Sequence, residues 1–231
     1  MDMTTFLNTL LSTANPLLPD PVAMRVALPL VWAIVLGSGA FFLASPLARS
    51  YRLGLSALVV LWTLVPGSAS PAYWLGLAFQ TPSLTSAVLC LGWFFRRARP
   101  AHVAAVTPAP CSLNGLAAAG MVLGWVLLLD TLAMWPASVY AWGFSAAAVG
   151  TVAAVVMLFW AVWGGTRAGR RGYAPWLIWG VLALFVISRL PTGNVWDALI
   201  DPWLWVGLQI AWLISAVRRW RAKRWPATIR A

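Results

Sequence analysis

An all-α bundle of seven transmembrane helices, N-terminus outside and C-terminus cytoplasmic, is the fold class this sequence predicts. Three observations predict it. The first is composition: 61% of the 231 residues are hydrophobic and 9% are charged, where a soluble domain carries roughly a quarter charged residues. The second is a series of apolar stretches that approach, with their flanks, the roughly 20 residues a bilayer-spanning helix needs. The third is the placement of positive charge. Fourteen of the 16 Lys and Arg residues fall into four clusters: Arg49/Arg52, Arg96/Arg97/Arg99, Arg167/Arg170/Arg171 and Arg218/Arg219/Arg221/Lys223/Arg224/Arg230. These occupy every second gap between apolar runs, which is the positive-inside pattern.

The spans are expected at 22–44, 51–67, 72–95, 113–135, 137–164, 175–190 and 202–217. Residues 1–21 then form an extracytoplasmic segment, 22–217 the membrane domain and 218–231 a basic cytoplasmic tail. The first residues do not read as a signal peptide, since no basic residue precedes Phe6 and the apolar stretch is short. Residues 4–18 read instead as a short interfacial helix, because Phe6, Leu7, Leu10, Leu11 and Ala14 share a face.

Asp20-Pro21 starts the first span, Ser70-Pro71 the third and Asp201-Pro202 the seventh. Each joins an N-cap residue to a proline at the first helical position, where a missing N–H costs nothing. The second span runs from the Arg49/Arg52 cluster to Pro66-Gly67. Gln80 and Pro82 interrupt the third, and the proline predicts a kink. Spans four and five carry small-residue stripes, Gly120-x-x-x-Gly124 and Ala146-x-x-x-Gly150-x-x-x-Ala154, and are joined by very few residues. Such stripes allow close backbone approach, so these spans are expected to form one tight hairpin. The sixth ends at Pro191. The loop that follows, 191–202, is expected outside, with Trp196 and Ile200 on the membrane surface. Most of the 17 tryptophans fall near span ends, as interfacial indoles do, while Trp32, Trp125 and Trp212 fall mid-span.

The polar inventory excludes much chemistry. There is no glutamate, His102 is the sole histidine, and the acids are Asp2, Asp20, Asp130, Asp197 and Asp201. Intramembrane haem ligation by two histidines, a His/Cys zinc site and a Ser/His/Asp constellation cannot be assembled. Paired-aspartate chemistry needs two acids at one depth, and Asp130 stands alone within the expected spans. A retinal Schiff base would need a lysine in the last span, but the only lysine, Lys223, lies beyond it. No cofactor and no metal site are expected. Cys90 and Cys111 both fall toward the reducing side, so no structural disulfide is expected either.

Asp130 is the outstanding polar residue, roughly 7–8 Å inside the outer end of its span at 1.5 Å per residue. Arg189 lies at comparable depth in span six and Arg25 near the outer end of span one; both stand outside the basic clusters. Two arrangements satisfy these charges: an ion pair of Asp130 with Arg189 or Arg25, or an anion- or zwitterion-binding pocket that includes Gln80. Snorkelling of the arginines to outer phosphates is a third. Asp201 reads as a helix cap. Asp197 and Asp201, four apart, share a helical face, but hard cations want more oxygens than two carboxylates supply.

The net charge of +11 is explained by the membrane without nucleic acid. In the tail, Arg218, Arg219, Trp220, Arg221, Lys223 and Arg224 suit contact with anionic lipid or an acidic partner protein. The functional expectation is a non-catalytic, multi-pass subunit or scaffold of a larger assembly in a bacterial inner membrane, in contact with other membrane proteins. The alternative is a small-solute transporter with an outward-facing pocket around Asp130 and Arg189.

Overall fold

The computed structural model describes residues 12–13, 16–98, 114–134, 136, 138–164 and 174–224. Among them the secondary structure is helical, joined by turns and loops, with no strand. The helices are α1 (Pro21–Leu43), α2 (Arg49–Thr63), α3 (Pro71–Phe79), α4 (Leu84–Ala98), α5 (Asn114–Thr131), α6 (Val139–Trp142), α7 (Ala146–Gly164), α8 (Ala174–Ser188), α9 (Val195–Leu199) and α10 (Pro202–Arg224). Of these, α1 is long and apolar enough to cross a membrane, and shorter apolar helices occupy Gly115–Thr131, Ala146–Ala161 and Trp176–Ser188.

Three starts form as their residues dictate. The Asp20 carboxylate accepts from Ala23 N–H at 3.0 Å, Ser70 Oγ from Ala72 N–H at 3.1 Å and Asp201 Oδ1 from Leu204 N–H at 2.8 Å. Each satisfies an orphan donor of the first turn. At the opposite end of the bundle, arginines serve helix carbonyls. Arg49 donates to Ala98 O at the end of α4, while Arg52 donates to Phe41 O and lies 4.0 Å from the Phe41 ring centroid. Cations at helix C-termini complement the macrodipole.

The bundle is built on α1, which packs along α2 and α4; α4 packs on α8, α8 on α7, and α5 on α10. Helices α1 and α2 approach closely. A Cβ on Gly37 would stand 2.5 Å from Val60 Cγ2, and Ser56 Oγ donates to Gly37 O at 2.8 Å. The core gathers Leu84, Ala148, Val181, Leu182, Phe185, Val195, Trp196 and Ala198.

Hydroxyl side chains lie inside the bundle beside its apolar core, and many large apolar side chains lie on its exterior. Ser38, Ser56, Thr63, Ser83, Ser86 and Ser145 are buried, whereas Leu43, Leu58, Leu61, Leu158, Ile187 and Leu213 are exposed. Soluble monomers rarely leave contiguous apolar patches beyond a few hundred Å².

Several expectations are corrected. The third segment is not one kinked helix: it stops at Phe79 and restarts at Leu84. Gln80 adopts φ 60° and ψ −149° at the break, and Pro82 has no N–H to continue the ladder. The fifth segment is likewise divided into α6 and α7 at Gly143–Ser145. The α5/α7 hairpin is replaced by other packing. Gly120 and Gly124 face Leu208 and Trp205 of α10, while nothing approaches Gly150 within 4 Å. The loop after α8 does not lie on a surface, for Val195, Trp196, Ala198 and Ile200 are buried. Of the expected helix at 4–18, the described residues Ser12, Thr13, Pro16, Leu17 and Leu18 are not helical, and the remainder lies outside the described residues. His102 and Cys111 lie outside them too.

Candidate functional site

Ser83, Thr85, Ser86, Asn194 and Asp201, about half of the buried polar residues, gather around the segment between α8 and α10. This segment turns inward because its first residues leave the helix sharply. Arg189 takes φ 57° and Gly193 φ 87°, and Gly193 N–H donates to Arg189 O at 2.7 Å. A Cβ on Gly193 would lie 2.8 Å from Leu17 O, so the chain ahead of α1 passes directly over the turn. Thr192 and Asn194 then set up α9. Asn194 Oδ1 accepts from Trp196 N–H at 3.0 Å, and Thr192 Oγ1 accepts from Asn194 N–H at 3.2 Å.

Two carboxylates anchor α9, Asp197 from within it and Asp201 just beyond its end. Asp197 Oδ2 accepts the Tyr140 hydroxyl at 2.8 Å and the Thr192 hydroxyl at 2.5 Å. The same short helix, α6, receives Asn194 Nδ2 at Tyr140 O (2.9 Å) and Trp196 Nε1 at Val139 O (2.9 Å). Gly143 closes the junction: Val195 N–H donates to its carbonyl at 3.1 Å. A Cβ there would overlap Asn194 Oδ1 and the Trp196 ring.

Asp201 holds the other end. Its Oδ1 caps α10, and its Oδ2 accepts from Ser83 N–H at 2.9 Å, Ser83 Oγ at 2.7 Å and Ser86 Oγ at 2.5 Å. Ser83 in turn accepts Ser86 N–H at 3.1 Å, which makes it the cap of α4. One buried carboxylate therefore sits against the N-termini of two helices, where their partial positive ends favour an anion. The broken backbone before it is also satisfied. Trp32 Nε1 donates to Gln80 O at 2.9 Å, so the mid-span indole fills the place of a missing helical donor.

The chain matches no known family model, no curated protein and no solved structure.

The residues singled out from sequence are distributed differently. Asp130 is half-buried and accepts from Val139 N–H at 3.2 Å and Tyr140 N–H at 2.7 Å, so it caps α6 rather than meeting a guanidinium. Arg189 is half-buried, its guanidinium 5.5 Å from the Phe185 ring centroid. Arg25 is exposed on α1, and the Gln80 side chain is exposed at the helix break. The structure thus brings Asp130 into the α6/α9 junction and leaves Arg25, Arg189 and Gln80 outside it. In the tail, Arg218, Arg219, Trp220 and Arg221 continue α10, as does the backbone of Lys223 and Arg224.

Asp201 and its serines were missed as a cluster. Asp201 lies 118 positions from Ser83, and isolated serines in an apolar stretch carry no signal of their own. One signal was present: the Asp201-Pro202 and Gln80-Thr81-Pro82-Ser83 breaks are two of the places where a polar residue and a proline interrupt apolar sequence. No buried side-chain N or O atom among the described residues lacks a hydrogen-bond partner. No three His, Cys, Asp or Glu side chains there cluster as metal ligands would. The arrangement therefore joins helices of one chain, and each of its carboxylates accepts from donors of that chain.

Proposed function

We propose that this chain is a multi-pass integral membrane protein whose role is architectural: a non-catalytic subunit or scaffold of a larger membrane assembly. The observation that carries the reading is that Asp130, Asp197 and Asp201 each accept hydrogen bonds from donors of the same chain. A general base needs an acceptor free to take a substrate proton, and a solute pathway leaves polar groups facing water.

The membrane part of the proposal is supported by the apolar exterior, the buried hydroxyls and the helix Pro21–Leu43. The seven spans would be α1, α2, α3 with α4, α5, α6 with α7, α8 and α10. The basic clusters would face the cytoplasm of a bacterial cell, with the start of α1 outside. The helix α8 has 15 residues, about 22 Å of rise, against a hydrocarbon core near 30 Å. In this reading the α3, α6 and α9 collar completes the outer part of the thickness. The tail would rest on anionic lipid through Arg218, Arg219 and Arg221.

One observation favours a transporter as second reading. The breaks before α4 and before α10 face one another at Asp201, and discontinuous helices are a recurring device of transporter sites. Purification of the tagged chain from native membranes in mild detergent, with mass spectrometry of the intact assembly, separates the two. Stoichiometric partner proteins support the scaffold. A homogeneous chain that retains a small solute, and loses it on Asp130→Asn substitution without unfolding, would overturn it.

A further inference from the structure

Beside the Asp201 lock the bundle is not filled. A cavity of about 260 Å³ lies between α4, α5, α7, α8 and α10, roofed by Trp196, Leu199 and Ile200. Its lining is apolar but for the hydroxyls of Thr85 and Thr151, and both hydroxyls are committed elsewhere. Thr85 Oγ1 donates to Ala198 O at 3.2 Å and Thr151 Oγ1 to Ala147 O at 2.9 Å. A water molecule needs 2–4 polar partners, and an apolar cavity of about 150 Å³ stays dry and accepts benzene. By that scale this space holds roughly ten carbon atoms in a row or a bend.

The mouth indicates the source of those carbons. Helices α5 and α7 form opposite walls and meet where a Cβ on Gly115 would stand 3.0 Å from the Phe159 ring. Thr151 and Val155 are exposed at the α7 rim, and Ala119 lines the α5 wall. Three residues further along each helix, on the same side, stand Leu158 and Val122, 63% and 62% exposed. The cavity is thus continuous with the apolar exterior. In a bilayer that exterior is covered by hydrocarbon, so acyl chains are the molecules present at the opening in greatest number.

We propose that this cavity binds one acyl chain of a bilayer phospholipid, held between α5 and α7 beneath the α9 turn; the inference rests on the membrane reading above. The bound chain supplies the contacts that α5 and α7 do not make with each other, and it couples their separation to the packing of α9.

The test uses the full chain in nanodiscs of phosphatidylethanolamine and phosphatidylglycerol. A small fraction of the phosphatidylglycerol carries a diazirine midway along one acyl chain, and cross-linked peptides are mapped after illumination. Label concentrated on Leu123, Val152, Val156 and Leu208 is the expected result. In a Val152→Trp variant the introduced ring competes for the space, and label on the remaining cavity residues falls about tenfold while label on outward Leu213 is unchanged. The pattern in the unsubstituted chain decides by itself, so a variant that misfolds does not obscure it. Label spread evenly over the outward helix faces overturns the lipid site while leaving the membrane reading intact. A chain that fails to enter nanodiscs and stays in solution overturns both. Protection of the cavity by a co-purified protein assigns the space to that partner and overturns the lipid site.

Discussion

Replacing Asp201 by alanine removes the acceptor shared by two helix starts. Leu204 N–H loses its cap, which costs about 1 kcal/mol. Ser83 N–H is buried and fixed by the backbone, so without the carboxylate it is left unpaired, at about 1–3 kcal/mol. The hydroxyls of Ser83 and Ser86 can rotate: Ser83 toward Ser86 Oγ, 3.1 Å away, and Ser86 toward a carbonyl of the preceding turn. Their loss adds about 1 kcal/mol together, giving about 3–5 kcal/mol for the substitution. For a chain of this size that corresponds to a Tm lowered by about 6–20 °C. The control is Asp20→Ala, which removes one exposed cap bond of 3.0 Å and is expected to cost about 1 kcal/mol. Both variants are compared with the unsubstituted chain by thermal unfolding of the purified protein in one detergent. A Tm for Asp201→Ala equal to that of Asp20→Ala would refute the junction, because it would leave Asp201 as an ordinary cap. Ser83→Ala/Ser86→Ala supplies the complementary check, since its effect should be largely absent once Asp201 is already alanine.

Four further substitutions probe the broken helices and the stripes. Gln80→Gly relieves a conformation suited to glycine, φ 60° and ψ −149°. Set against the entropy glycine adds to the unfolded chain, it is expected to stabilise by about 1 kcal/mol, read as a higher Tm. Trp32→Phe keeps an aromatic ring but removes the donor to Gln80 O, and a loss of about 1–3 kcal/mol is expected in the same assay. Gly124→Ala sets a methyl against the Trp205 ring, whereas Gly150→Ala enters open space. The first should destabilise by about 1–3 kcal/mol and the second be neutral or stabilising by up to about 1 kcal/mol. Equal effects at the two glycines would return both stripes to one interface.

Much of this architecture is local in origin and was readable from the chain. Helical class follows from long apolar stretches with few charges. The starts of α1, α3 and α10 follow from Asp20-Pro21, Ser70-Pro71 and Asp201-Pro202, because a cap and its proline act within a single turn. The interruption at Pro82 was legible for the same reason. Its outcome was not, since whether a helix bends or stops depends on what receives the released backbone groups. Here Trp32 takes Gln80 O, from 48 positions away, and Asp201 takes Ser83 N–H.

Partners distant in sequence decided the rest. Asp130 was visible as a costly carboxylate in an apolar stretch, yet α6 supplies two backbone N–H groups to it, and backbone donors leave no trace in composition. The loop after α8 looked like a surface connection because its residues are mixed in polarity. It is buried because Asn194, Asp197 and Asp201 each find donors or acceptors on α4, α6 and α9. The glycine stripes announced close packing without naming the partner, and the shape of Trp205 gave Gly124 to α10 rather than to α7. By itself the sequence determined the helical class and the starts of α1, α3 and α10, since these are set by composition and by caps that act within a single turn. Only the tertiary structure decided where the few polar groups meet, because each of those bonds needs a partner brought in from another helix.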